Sequence, residues 1–535
     1  MSADCFPTIV LRAARSKRPY SFILTSILLI TTVLPSICLT DSMNLQRVIS
    51  KFAWQSEPSK RRLGCKTVDL SFLFKNAKVA TASDLFMCDI GIDNEKIVFL
   101  EKNSSKEAKQ IIDAKNEYVL PGGVDGHCHL DQRTKDGTEM SDNFESGSRS
   151  AAFGGTTTIM PFAIQFKGES LREVIDEYHT RANNQSYIDY TFHPIISDAS
   201  PNVLGQELPA MVKDGYTHFK IYMTYEDLQL NDREILDTLE AAGREKAVVM
   251  VHAENYECLK WLTEKLEAAG KVDPIHHSDS RPGVVESEAT NRAIALSRIT
   301  DTPILFVHVS DKEAIETIRN AQNKGYKIYA ETCPQYLFLT RDDLNRDNFE
   351  GAKYVCSPPP RDPENQKHVW NGVKNGTFDI LSSDHAPFNF KDDKGKMVKG
   401  DKTPFKHIPN GVPGLETRLP LLFSKGVLDK KISINKFVEV TSTNPAKIYG
   451  LYPKKGTISI GSDADIVIWK TGIEKKITNT DLHHDTDYTP YEGINVKCWP
   501  DIVISRGNVI IENGKLLGKK GFGKFLKSDI SSYVY

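Results

Sequence analysis

Paired cysteines, a charge imbalance and a long hydrophobic run are all missing from this chain of 535 residues. Its nine cysteines show no CxxC and no paired spacing, so they do not read as a disulfide framework, and the odd count leaves one unpaired. A formal net charge of −2 gives no electrostatic basis for binding nucleic acid or an anionic membrane. The apolar stretch "FILTSILLITTVL", residues 22–34, is too short and too rich in threonine for a comfortable membrane span of about 20 residues. Internal repeats and low-complexity tracts are also lacking in the centre of the chain, which argues against a repeat array there.

What remains is ordinary globular material, 40% hydrophobic and 26% charged, long enough for one large barrel with appended parts. The first 65 residues stand apart. Arg12, Arg15, Lys17 and Arg18 precede the apolar stretch, and small residues around Ser36 follow it, as in a secretory signal. No acidic residue lies between Asp4 and Asp41, which also suits an organelle transit peptide. Short strand-like runs begin near Thr67 ("TVDLSFLFKNAKVAT"), and the same pattern returns near the other end ("DIVISRGNVIIENGKLLG"), with Asn-Gly hairpin signals. The two flanks predict one small β domain assembled from both chain ends. Between them, eight strand-like runs alternate with helical segments such as "DREILDTLEAAGRE" over about 330 residues, which predicts a (β/α)₈ TIM barrel. In "SDKEAIETIRNAQNKG" the helix is expected to be capped by Ser310 and closed by Gly325.

One lysine is out of place in that barrel. Lys220 sits inside "HFKIYMT", a run with the composition of a buried strand. A buried ammonium is expensive unless it is paired or neutralised, and the ordinary resolution is a buried stem with its head in water. Its neighbours argue for more. Catalytic groups of a TIM barrel collect at the carboxyl ends of the strands. There the sequence places His127 and His129 on the first strand, Lys220 on the fourth, His252 on the fifth, His308 on the sixth and Asp384 on the eighth. His127 and His129 are two apart and point to one side, so Cys128 faces the other and packs.

These motifs ("PGGVDGHCHL", "FKIYMTY", "VHAEN", "FVHVS", "AETCPQYL", "CSPPPR", "SSDHAPF" and "IPNGVPGLETRLPLL") resemble the cyclic amidohydrolases, and most closely the dihydropyrimidinase and D-hydantoinase branch, from about residue 67 to residue 520. The resemblance implies a barrel over residues 121–453 and a β-sandwich from residues 66–120 and 454–517. Residues 1–65 are then a targeting extension and residues 518–535 a tail. It also implies two zinc ions per subunit bridged by Lys220 as a carbamate (N6-carboxylysine). His127, His129 and Asp384 would hold one ion, and His252 and His308 the other. A carbamate turns the misplaced cation into a two-oxygen anion, and burial favours the reactive neutral amine. Asp384 is the implied proton carrier, Tyr225 the oxyanion donor, and Ser357 and Asn410 the groups that meet the ring imide. The implied reaction is hydrolysis of a small cyclic ureide by a homotetramer. The family is cytoplasmic, whereas the N-terminal segment points to secretory entry, a membrane anchor or a translocon contact.

Rival readings are separated by particular residues. Non-catalytic signalling relatives have lost metal ligands that this chain keeps, and allantoinases typically lack the tyrosine matched by Tyr225. In dihydroorotases an arginine two residues after the HxH pair grips a substrate carboxylate. Here that place is Asp131, expected to repel such a substrate. A proline common after the pair is replaced by "LDQRTKDG", so the first loop and the substrate preference are expected to differ. Deleting residues 1–60 is expected to leave soluble, active protein. Failure of that truncation to fold, read by circular dichroism, would make the segment structural.

Overall fold

The computed structural model describes residues 70–535, so the expected targeting segment, residues 1–65, lies outside the described residues. Among the described residues no helix is long and apolar enough to cross a membrane. The chain opens with strands β1 (Leu70–Ala80), β2 (Leu85–Asp93), β3 (Lys96–Glu101), β4 (Ala108–Asp113) and β5 (Tyr118–Pro121). They share one nine-stranded sheet with β15 (Ile466–Lys476), β16 (Asn495–Ser505), β17 (Asn508–Glu512) and β18 (Lys515–Leu516). The joint between the two flanks is β5, parallel to β1 and antiparallel to β15. Inward residues alternate along these strands, and Phe74, Val79, Ile90, Ile92, Ile466 and Ile504 gather into one apolar core. Edge strand β3 also meets the segment leading into β15, where Ile97 N–H donates to Ser462 O at 3.1 Å and Lys96 forms a backbone bridge with Asp463.

The centre is a parallel barrel. Its order is β6 (Gly123–Cys128), β7 (Thr156–Ile164), β9 (His193–Ile195), β10 (His218–Tyr222), β11 (Val248–His252), β12 (Ile304–Phe306), β13 (Ile328–Thr332) and β14 (Ile380–Leu381), with the short β8 (Asp189–Tyr190) beside β7. These strands are almost continuously buried, as expected when helices cover a parallel sheet. The crossover helices start where the sequence signals them. Ser170 caps Leu171–Ala182, and Asn231 with Glu234 forms a capping box on Asp232–Arg244. One cap is different from the expectation. Asp311, not Ser310, caps Lys312–Asn323, because the Ser310 hydroxyl is drawn to buried Glu286 at 2.6 Å. Gly325 follows that helix with φ +77°, the left-handed conformation expected of it.

Closure of the barrel is side-chain work. Between β14 and β6 the backbone contact is one parallel bridge, Cys128 to His385, with His129 N–H donating to His385 O at 2.7 Å. Asp125 supplies the missing bonds. Its Oδ1 accepts from the N–H of His127 (3.2 Å) on one side and of Ser383 (3.1 Å) on the other. Fully buried Arg418 lies 3.3 Å from the second carboxylate oxygen and donates to Leu381 O.

Sheet and barrel are joined by a buried ion cluster. Lys455 Nζ lies 2.7 Å from Asp189 and Asp465 and 3.0 Å from Asp463. Arg506 also holds Asp189, at 3.0 Å. Asp189 belongs to the barrel, and the other residues flank strands of the sheet. Removing one partner of such a group leaves buried charge unmatched. Lys455→Met is therefore expected to destabilise the protein by about 3–5 kcal/mol, measured as a lower urea midpoint.

Candidate functional site

At the carboxyl end of the barrel a cavity of about 470 Å³ is lined by His127, His129, Lys220, Tyr225, His252, His308, Ser357, Asp384 and Asn410. The structure thus brings together the candidate metal ligands and ring-contacting residues named from the sequence. His127 Nε2 and His129 Nε2 lie 3.0 and 3.4 Å from the same oxygen of Asp384, and the ligand atoms of the three residues all fall within 4.8 Å of one another. The rings of His252 and His308 meet edge to face with centroids 4.3 Å apart, and the His308 centroid lies 5.3 Å from that of His127. Cys128 points away from the cluster and is fully buried, as alternation along the strand requires.

Second partners fix the imidazoles. Glu331 Oε1 sits 2.6 Å from His127 Nδ1 and also accepts from His308 N–H. Gln132 Oε1 holds His129 Nδ1 at 2.7 Å. Both rings therefore present Nε2 toward Asp384. His252 is held through Nε2 by Glu254 at 2.8 Å, and Arg281 grips that carboxylate at 2.6 Å, so its Nδ1 faces the cavity side. Burial lowers the pKa of His252 to about 4 and those of His129 and His308 below the ordinary range, leaving neutral imidazoles. Burial opposes charge on Asp384 too. The nearby charge of His127 and hydrogen bonds from His127 and His129 outweigh it and hold the carboxyl well below its usual range.

Lys220 is fully buried. Its Nζ stands 3.4 Å from His127 Nε2 and 4.4 Å from the centre of the Phe162 ring, and among the described residues it has no ion pair. Burial pushes its amine down to about 8, against the pull of Asp384 and Glu331. At the rim, Tyr225 hydroxyl and Asn410 Nδ2 are 3.5 Å apart, and Ser357 Oγ is 3.5 Å from His277. The backbone is strained here. Tyr225, His308 and Asp384 have φ of 68°, 41° and 48°, each costing about 1–2 kcal/mol for a residue with a Cβ. Such strain is characteristic of functional positions.

One expectation is corrected. Asp131 does not line the cavity. Its backbone turns left-handed (φ 52°) and Arg181 holds its carboxylate at 3.2 Å, so it presents no free negative charge to a ligand. Gln132, next to it, serves His129 instead. Glu331, Glu254, Gln132 and Asp125 were not singled out from the sequence. Glu331 lies in a buried strand between Ala330 and Thr332, and so carried the same signal that drew attention to Lys220.

The profile of the amidohydrolase family matches residues 118–510, and this chain belongs to that family. It is 43% identical over 457 residues to the D-hydantoinase of Geobacillus stearothermophilus, covering 85% of this chain and 96% of that protein. The D-hydantoinase of Ralstonia pickettii is 41% identical over 459 residues, covering 86% and 99%. A crystal structure of dihydropyrimidinase from Brevibacillus agri superposes with a TM-score of 0.84 at 43% identity, over 86% of this chain and 99% of the other.

The family implies a centre of two metal ions, and the donor set fits one. Burial favours the neutral form of His129, His252 and His308, and His308 Nδ1 and Glu331 Oε2 are buried without a protein partner among the described residues. His127, His129 and His252 each have one ring nitrogen engaged by a side chain, as metal-binding histidines do. Glu331→Gln is expected to weaken metal binding by about 10–100-fold, read by competition with a chelator.

Proposed function

We propose that this protein opens the cyclic amide of 5,6-dihydrouracil and 5,6-dihydrothymine, and of hydantoins, to give N-carbamoyl amino acids. The observation that carries this reading is the convergence of four histidines, Asp384 and a buried lysine without an ion pair among the described residues on one cavity. The names borne by its relatives, hydantoinase and dihydropyrimidinase, support the choice of substrate.

His127, His129 and Asp384 would hold one divalent ion, His252 and His308 the other, and Lys220 both as a carbamate; imidazole with carboxylate suits zinc. The modification balances. The neutral Nζ adds to the carbon of carbon dioxide, one proton leaves to solvent, and an anion with two oxygens remains. When bound, a pair of such ions supplies an activated water and polarises the amide carbonyl. The residues do the rest. Asp384 accepts the proton of the attacking water and delivers it to the departing ring nitrogen. The Tyr225 hydroxyl donates to the oxygen that becomes negative, a contact strongest in the transition state. Ser357 and Asn410 hold the imide edge, which sets the carbonyl against Asp384.

Purified, zinc-loaded protein is expected to hydrolyse dihydrouracil. Lys220→Ala should lose activity by more than the about 10–100-fold typical of disturbing a ligand's outer partner, with partial recovery in added short carboxylic acids. Because carbamate forms on the neutral amine, uptake of labelled carbon dioxide by metal-free protein should quicken as pH rises through about 8. No turnover of either ring type, or full activity in Lys220→Ala, would overturn the reading.

A further inference from the structure

We infer that Lys396 is a positioning residue for the substrate: its ammonium holds in one arrangement the two backbone segments that carry Ser357 and Asn410. This rests on the reading of those two residues as the imide-binding groups.

Lys396 lies in the long loop after β14, away from the histidine cluster, and is fully buried. Its Nζ donates to three carbonyls, Val355 O at 2.9 Å, Pro409 O at 2.6 Å and Gly411 O at 2.7 Å. Three acceptors match the three donors of an ammonium. The two segments also touch directly, Gly411 N–H donating to Val355 O at 3.0 Å. No carboxylate pairs with Lys396 among the described residues, and its three carbonyl acceptors at 2.6–2.9 Å are all met only by the ammonium form, although burial opposes that charge. A cation kept in so costly a place, where an apolar chain would pack more cheaply, points to a task other than filling space.

The geometry of the peptide unit says what that task is. Across a trans peptide the C=O and the following N–H point in opposite directions. Drawing Pro409 O onto Lys396 therefore turns the N–H of Asn410 away from it, and drawing Val355 O does the same for Cys356. His277 Nε2 continues the pattern one residue further, holding Cys356 O at 2.9 Å and so directing the N–H of Ser357. Charged donors make the strongest of these bonds, more so away from water. Lys396 acts on the ring through these peptides and does not touch the reacting atoms.

Full-length, metal-loaded Lys396→Met tests the inference by hydrogen exchange and steady-state kinetics on dihydrouracil. Loss of charge-assisted bonds should speed amide exchange in peptides spanning residues 353–358 and 408–412, and raise KM, by about tenfold or more each. Metal content should stay at the wild-type level, and kcat should change far less than KM. Lys396→Gln, which keeps two donors without the charge, should fall between and serves if the methionine variant does not fold. Unchanged exchange in both segments overturns the inference. So does faster exchange with unchanged KM, or a joint fall of kcat and metal content at constant KM. The exchange measurement needs no turnover, so it judges the clamp even if dihydrouracil proves not to be hydrolysed.

Discussion

The whole site depends on how the first and last barrel strands are fastened. A parallel barrel must bring its ends together without a hairpin, and here the ladder between them is reduced to one bridge. The Asp125 carboxylate spans the gap, accepting from His127 N–H and Ser383 N–H on opposite sides of the seam. The next residue after Ser383 is Asp384. One buried side chain therefore sets the separation between His127 and Asp384, the pair at 3.0 Å on which the histidine cluster is organised. Arg418 offsets the charge of Asp125 from within the protein.

Electrostatics then divides the interior into two regimes. Around Lys455 and Arg506, buried charges of both signs are matched at hydrogen-bond distance, which makes a rigid joint between sheet and barrel. At the mouth of the barrel the matching is deliberately incomplete. Among the described residues Lys220 has no ion pair and His308 Nδ1 no hydrogen-bond partner, and burial favours the neutral form of His129, His252 and His308. Left-handed backbone at Tyr225, His308 and Asp384 adds strain at the same place. Stability is concentrated in the joint and withheld from the mouth, as expected where a site is organised to bind.

Much of the fold was legible in the sequence. Eight apolar runs, five of them ending in chemistry-bearing residues, mark the strands of the barrel, and the strand-rich flanks mark the sheet shared by both ends, because burial on both faces and hairpin turns leave local signatures. The convergence of His127, His129, Lys220, His252, His308 and Asp384 follows once those strands are placed in a barrel. What could not be read depends on contacts far apart in sequence. Asp131 looked like a group facing the substrate, but Arg181, fifty positions away, turns it aside. Ser310 looked like a cap until Glu286 claimed its hydroxyl. Glu331 and Lys396 show the same limit, since neither the imidazole that one orients nor the carbonyls that the other gathers are near it in the chain.

The shared sheet has a consequence for anyone dissecting the molecule. Because β5 is the only strand among the described residues that links β1 to β15, the two flanks act like the halves of a zip closed over the barrel. A fragment cut to the barrel alone would leave Asp189 buried without Lys455 and Arg506. A fragment keeping one flank would present a raw strand edge with open N–H and C=O groups, the template on which chains stack. Swapping modules between relatives at the barrel boundaries is therefore the wrong cut. The exchangeable parts are the loops at the mouth, where a graft disturbs neither the joint nor the seam.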